Sequence, residues 1–234
     1  MKTIGLIGGM SWESTAIYYQ IINREVGRRL GGVHSGKIVL YSVDFGEIEP
    51  LQRASKWDEA GEAMADAALR LERAGADCIL ICANTMHKLA PQVERAVDLP
   101  LLHIADVTAE SALAGGFRTV GLLGTRFTME QDFYKDRLAE KHGLNVLTPD
   151  ESDRDAVHDI IYRELTHGKV LDESRSRYVA VVNRLIERGA EAVILGCTEI
   201  PMLIGQDDVS IPLLDTTELH AVAAVEWALD AGQG

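Results

Sequence analysis

Cys197, Thr198 and Glu199 follow the apolar run AVILG at 192 to 196 without a spacer. A thiol placed there, between a buried strand and the start of a helix, is expected to have its pKa lowered by the helix N-terminus. That favours the thiolate needed for proton abstraction or nucleophilic attack. Free cysteine is more often a small buried hydrophobe, and Cys78 and Cys82, inside the run CILIC, are read that way. Side chains alternate across a strand, so Cys82 should face the opposite side from position 83. Asn84 and Thr85 stand where an N-cap is expected, a role compatible with ligand binding. His87, one turn further on beside Lys88, reads as a surface or supporting residue rather than a base, and His103 as a satisfied core histidine. Asp44 and Glu47 have no acidic partners elsewhere, so no metal site is expected.

These residues are positioned by a chain that is written twice. AGADCILICANTMH at 74 to 87 aligns without a gap on RGAEAVILGCTEIP at 188 to 201, an offset of 114. The alignment superposes Ala83 on Cys197. TIGLIGG at 3 to 9 matches TVGLLGT at 119 to 125, and LPLLHIA at 99 to 105 matches IPLLDTT at 211 to 217. The stripe Met64, Ala67, Ala68 and Leu71 returns as Tyr178, Val181, Val182 and Leu185. Short β-rich runs alternate with amphipathic ones, which specifies a parallel sheet with helices on its faces. Strands are predicted at 4–7, 37–43, 78–82 and 101–104, with counterparts at 120–123, 145–148, 192–196 and 213–214. Thr128 with Gln131 has a capping-box spacing, and Gly75 and Gly189 each end a helix. The fold class is therefore α/β with two pseudo-symmetric domains, 1–100 plus 212–234 forming the first half and 101–211 the second.

Ligands of open parallel sheets collect beyond the carboxyl ends of the strands. Four such ends are polar or glycine-rich: Gly8 to Thr15, Ala83 to Thr85, Gly124 to Thr128 and Cys197 to Glu199. The first lacks the G-x-G-x-x-G spacing of a dinucleotide loop and indicates only close backbone approach to some anion.

Charged residues make up 25% of the 234 and the net charge is -13, which argues against nucleic acid or anionic membrane as a partner. The N-terminus has no signal-peptide pattern and no stretch is long enough to span a bilayer. Three cysteines without paired spacing argue against a disulfide framework or zinc site, so a reduced, cytoplasmic protein is expected.

GGMSWEST, CANTMHKLA, GTRFTM and GCTEI, in this order and with the repeat, resemble the aspartate/glutamate racemase family over essentially the whole chain. The resemblance implies an active site in the cleft between the two domains, an amino-acid or dicarboxylate substrate, no pyridoxal phosphate or other cofactor, no metal and a homodimer. It assigns Cys197 as a catalytic cysteine. It makes Asn84, Thr85 and Thr198 ligands of the substrate's α-carboxylate or amino group, with Met10 in the first loop, Thr125 and Thr128 in the third and Glu199 beside Thr198. Gln52 falls in a region that recognises the side-chain carboxylate. Some members carry a lysine for that task near 162–169, where this chain has Thr166.

Ala83 departs from the pattern. Typical members have their first catalytic cysteine there, and a branch sharing SWEST and NTMHK, acting on L-configured acidic amino acids, has threonine. Inverting an α-carbon takes a proton from one face and returns one to the other, and alanine does neither. Three functions remain compatible with the chain: a racemase or epimerase of acidic or broad amino acids in which water or a hydroxyl replaces the missing group, a one-cysteine decarboxylase of the arylmalonate type, and a catalytically impaired amino-acid or dicarboxylate binder.

Overall fold

The computed structural model describes residues 1–230. In chain order its strands and α-helices are β1 (Ile4–Gly8), α1 (Trp12–Leu30), β2 (Ile38–Ser42), α2 (Phe45–Arg53), α3 (Trp57–Arg73), β3 (Cys78–Ile81), α4 (Ala90–Ala96), α5 (Ile104–Ala114), β4 (Thr119–Gly124), α6 (Arg126–Glu130), α7 (Asp132–Asp136), β5 (Asn145–Leu147), α8 (Glu151–Arg163), α9 (Asp172–Glu187), β6 (Ala192–Gly196), β7 (Leu213–Asp215) and α10 (Thr216–Asp230). All strand pairs are parallel, in the orders β2-β1-β3 and β5-β4-β6-β7. Two compact units result among the described residues: Met1–Ile104 with residues 220–230, and Ala105–Leu219. Of residues 212–234, expected in the first half, 220–230 lie in the first unit and 212–219 in the second, where β7 pairs with β6, and 231–234 lie outside the described residues.

The helical stripes set the cores. Met64, Ala67, Ala68 and Leu71 of α3 pack with Ile7, Ile79 and Ile81 on one face of the first sheet. Tyr18, Ile22 and Val26 of α1 cover the other, joined by Ala221, Ala224, Val225 and Ala228 of α10. In the second unit Tyr178, Val181, Val182 and Leu185 of α9 pack with Val193 and Leu195. Burial of each large side chain contributes about 1.5–3 kcal/mol, enough for the repeated spacing to dictate the repeated fold. Gly75 (φ 87°) and Gly189 (φ 95°) turn the chain from α3 into β3 and from α9 into β6 in a conformation that other residues adopt only with strain.

The strand predicted at 101–104 reduces to one bridge, Ile79 to Leu101. Ile79 N-H donates to Pro100 and Leu102 N-H to Ile79, but the Leu102 carbonyl then accepts His220 Nε2-H at 2.7 Å. Ile104 already begins α5. The capping box predicted at Thr128 and Gln131 is also replaced: Thr125 is the N-cap of α6, its hydroxyl accepting from Thr128 N-H, and Gln131 lies in the extended break between α6 and α7.

The π-helical turn Arg137–Lys141, after α7, is fastened to α5 by Asp106. That carboxylate accepts from Arg137 Nε and a terminal guanidinium nitrogen (both 2.7 Å), Lys141 Nζ (2.6 Å) and His142 Nε2 (2.9 Å). Burial alone would raise its pKa, but the three donors outweigh burial and hold it well below the usual carboxylate range. A folded pKa below the unfolded value of about 3.9 stabilises the fold above that pH, and the contribution is lost as pH falls through and below it. Asp106→Asn is expected to cost about 1–3 kcal/mol in denaturant unfolding at neutral pH, with the deficit against the parent shrinking under acid. An equal deficit at all pH values would show that the carboxylate charge is not what stabilises this turn.

Candidate active site

In each unit the two strands that end in candidate chemistry are neighbours. β1 pairs with β3, Ile7 opposite Ile81, so the loops beginning at Gly8 and Cys82 leave the sheet side by side. β4 pairs with β6, Gly124 opposite Gly196, which does the same for Thr125 and Cys197. The end of the second pair has no room for a side chain. A Cβ on Gly124 would lie 2.9 Å from the Gly196 carbonyl oxygen, and one on Gly196 would lie 2.8 Å from that of Leu123. Neither position accepts a side chain without moving backbone.

In the first unit much of the SWEST motif is consumed by architecture. Ser11 caps α1 by accepting Ser14 N-H, Ser14 Oγ-H donates to the Cys82 carbonyl (3.3 Å), and Thr15 Oγ1 accepts Gly9 N-H (2.9 Å) while donating to the Ser11 carbonyl (3.0 Å). These bonds hold the first loop against the end of β3. Cys82 is buried among Tyr18, Ile22 and Val26, whereas Ala83 lies in the opposite cluster with Met10, Ile48 and Met86. Alternation thus turns Cys82 away from the face that carries Ala83. Burial pushes the Cys78 thiol up to about 12 and the Cys82 thiol higher still. Both are core residues. Gln52, buried on α2, points its amide at Met86 Sδ (2.7 Å), which places it in the same group as Met10 and Ala83.

Asn84 is buried and precedes a 3-10 turn, Thr85–Leu89, without making the capping bond that the sequence suggested. His87, expected at the surface or in support, is 2% exposed and hydrogen-bonded on both ring nitrogens. His103 is buried as expected, its ring 4.6 Å from that of His87. The sequence signal that could have marked His87 is the repeat itself, since position 87 aligns with Pro201, where no side-chain donor exists.

In the second unit the hydroxyls of Thr125 and Thr128, both buried, lie 3.4 Å apart at the start of α6. Arg126 N-H, between them, donates to His158 Nδ1 (3.2 Å). Cys197 Sγ-H donates to Glu199 Oε2 at 2.9 Å, and Thr198 Oγ1-H donates to the same oxygen at 2.7 Å. The element after Cys197 is a three-residue 3-10 turn, Ile200–Met202, with Pro201 in it, rather than a helix able to present a strong N-terminal dipole. The expected thiolate-favouring shift is therefore reversed. Burial, then the adjacent Glu199 carboxylate, raise the Cys197 pKa well above that of an ordinary thiol. Thr216 Oγ1-H secures the Leu195 carbonyl just below (2.9 Å), a contact the sequence reading did not identify. Thr166, in the 3-10 turn Leu165–His167, donates to the Tyr162 carbonyl. All three cysteines are free thiols, and among the described residues no group of three or more His, Cys, Asp or Glu side chains is placed to hold a metal ion. No described helix is long and apolar enough to cross a membrane.

A family model described as Asp/Glu/hydantoin racemase matches residues 7–224. The chain belongs to this family. As a racemase-family protein it is an isomerase. Its fold is similar to that of a Yersinia pestis protein assigned to the Asp/Glu racemases, 53% identical with a TM-score of 0.94, over 98% of this chain and 100% of that one. An aspartate racemase homologue from Pyrococcus horikoshii OT3 is 37% identical with a TM-score of 0.85, again over 98% and 100%. The broad specificity amino-acid racemase RacX of Bacillus subtilis (strain 168) is 23% identical over 231 residues, covering 97% of this chain and 98% of that protein.

Proposed function

We propose that this racemase exchanges the α-proton of a free amino acid without a cofactor, with Cys197 as the proton-transfer group and water taking the role that Ala83 cannot fill. The observation that carries this reading is the group at the end of β6, in which the Cys197 thiol and the Thr198 hydroxyl share one Glu199 oxygen. A carboxylate beside a thiol offers a place for the sulfur's proton, and the thiolate so formed removes the Cα hydrogen. The electron pair left behind is drawn into the substrate carboxylate, which hydrogen-bond donors stabilise. Asn84, Thr85 and Thr198 bind the α-carboxylate and amino group, with Met10, Thr125 and Thr128 completing the substrate-binding set. Inversion follows when a water molecule gives its proton to the opposite face and the resulting hydroxide recovers the thiol's proton through solvent.

Gln52 is a neutral amide and Thr166 a hydroxyl, so the substrate's side chain meets no fixed cation from either. This supports acidic or broad amino-acid substrates rather than aspartate alone. A reducing compartment, the cytosol, suits a working thiol, and a homodimer is the assembly we propose from the family resemblance. The raised thiol pKa favours a second reading, since a group held protonated is suited to protonating a carbanion left by loss of carbon dioxide.

Single enantiomers of aspartate, glutamate and neutral amino acids in deuterated water separate these readings. Deuterium uptake with inversion is the expected result. Uptake with retained configuration would confine the chemistry to one face, and carbon dioxide release from malonates without amino-acid exchange would select the decarboxylase. Binding with neither would end both enzymatic readings.

A further inference from the structure

We propose that His87 is a positioning residue for the loop Ala83 to Thr85, fixing the direction of the Asn84 amide that receives the substrate's carboxylate. The choice of ligand rests on the proposed function; the orientation of the peptide does not.

The ring's two hydrogen bonds determine its tautomer. Ile104 N-H donates to Nε2 at 3.2 Å, so Nε2 carries no proton. The single proton of the neutral ring is on Nδ1, which donates to the Ala83 carbonyl at 2.8 Å. His87 also donates its backbone N-H to the Asn84 carbonyl (3.1 Å), so one residue holds two successive carbonyls of the loop. In a trans peptide the C=O and N-H point in opposite directions. A carbonyl of Ala83 directed at His87 therefore turns the N-H of Asn84 to the opposite side. In the second unit the equivalent carbonyl, that of Cys197, accepts Ile200 N-H (3.2 Å), a backbone closure that leaves position 201 free to be proline.

The surroundings keep the ring in place. His103 lies 4.6 Å and His220 5.7 Å away between ring centroids. His220 donates through Nε2 to the Leu102 carbonyl (2.7 Å) and accepts Tyr18 O-H on Nδ1 (2.8 Å). Two buried histidines thus grip one short segment, one at Leu102 and the other at Ile104. Burial lowers the His220 pKa to about 4, which keeps its Nδ1 an acceptor at neutral pH.

The test pairs His87→Asn, whose amide nitrogen can take the place of Nδ1, with His87→Phe, which keeps a ring and loses both bonds. In the parent, a long-range proton–nitrogen spectrum of the histidines should show His87 protonated on Nδ1. In exchange assays the phenylalanine variant should lower kcat/KM about tenfold or more, with KM raised and kcat lowered together, because the Asn84 amide meets a carboxylate whose charge grows as the α-proton leaves, and the asparagine variant should recover most of it. An Nε2-H tautomer, equal damage in both variants, or a loss confined to kcat would overturn the proposal. If the parent exchanges no amino acid at all, the proposed function fails, and the Asn84 amide resonance still decides the positioning role. It should move in His87→Phe and return in His87→Asn, and an unmoved resonance would refute it.

Discussion

Cys197→Ala should lower α-proton exchange by about 10²–10⁴-fold, the usual contribution of a positioned acid or base. The substitution removes one sulfur from a residue that is 9% exposed and packed with Tyr178, Leu195 and Ile200, so the fold should survive it. Glu199 would retain the Thr198 hydroxyl as a partner. The same geometry sets the pH dependence. Because burial and Glu199 raise the thiol's pKa, the thiolate is scarce at neutral pH, and kcat/KM should climb with pH from about 6 to about 9 rather than level off near neutrality. Deuterium uptake into an amino acid, measured for parent and variant across that range, checks both statements. A variant that exchanges at the parental rate would remove Cys197 from the mechanism, and a kcat/KM profile flat above neutrality would show that the pKa of the thiol in the free protein is not raised.

Ala83→Cys should accelerate interconversion of enantiomers by about 10²-fold or more, because it supplies a second proton-transfer group where water must otherwise serve. Ala83→Thr should give a smaller gain, since a hydroxyl is a much weaker acid than a thiol. The site faces Met10, Ile48 and Met86, and the added atom is expected to cost no more than about 1–3 kcal/mol of stability through crowding. An Ala83→Cys protein no faster than its parent, yet folded, would refute the pairing of positions 83 and 197 drawn from the internal alignment.

That alignment carried most of what was legible in the sequence. Period and spacing are local properties, so the α3 and α9 stripes, the glycines at 75 and 189 and the central strands could be placed from residue types alone. Features that depend on long-range partners could not. The strand predicted at 101–104 stops after one bridge because a histidine more than a hundred residues later takes the Leu102 carbonyl. The buried position of His87 depends on Ile104 and two other imidazoles. The direction of the Cys197 pKa shift is set first by burial and then by Glu199, whose side chain folds back onto the thiol, and neither is visible in the order of residues after β6. Placement of Cys82 was legible, since it needed only the alternation of a strand.

The first unit is discontinuous. Its sheet is covered on one face by α10, whose Ala221, Ala224, Val225 and Ala228 close the core around Tyr18 and Ile22, and Lys2 N-H bonds to the Ala228 carbonyl. The second unit, Ala105–Leu219, is one uninterrupted stretch. During synthesis on the ribosome the order of completion is therefore inverted: the segment made first waits with one sheet face covered by α1 alone, while the segment made second can finish its own core before α10 emerges. Nascent chains stalled ahead of α10 would expose part of the apolar side of β1 and β3 to chaperones, and that interval, rather than the finished fold, is where this architecture is open to aggregation.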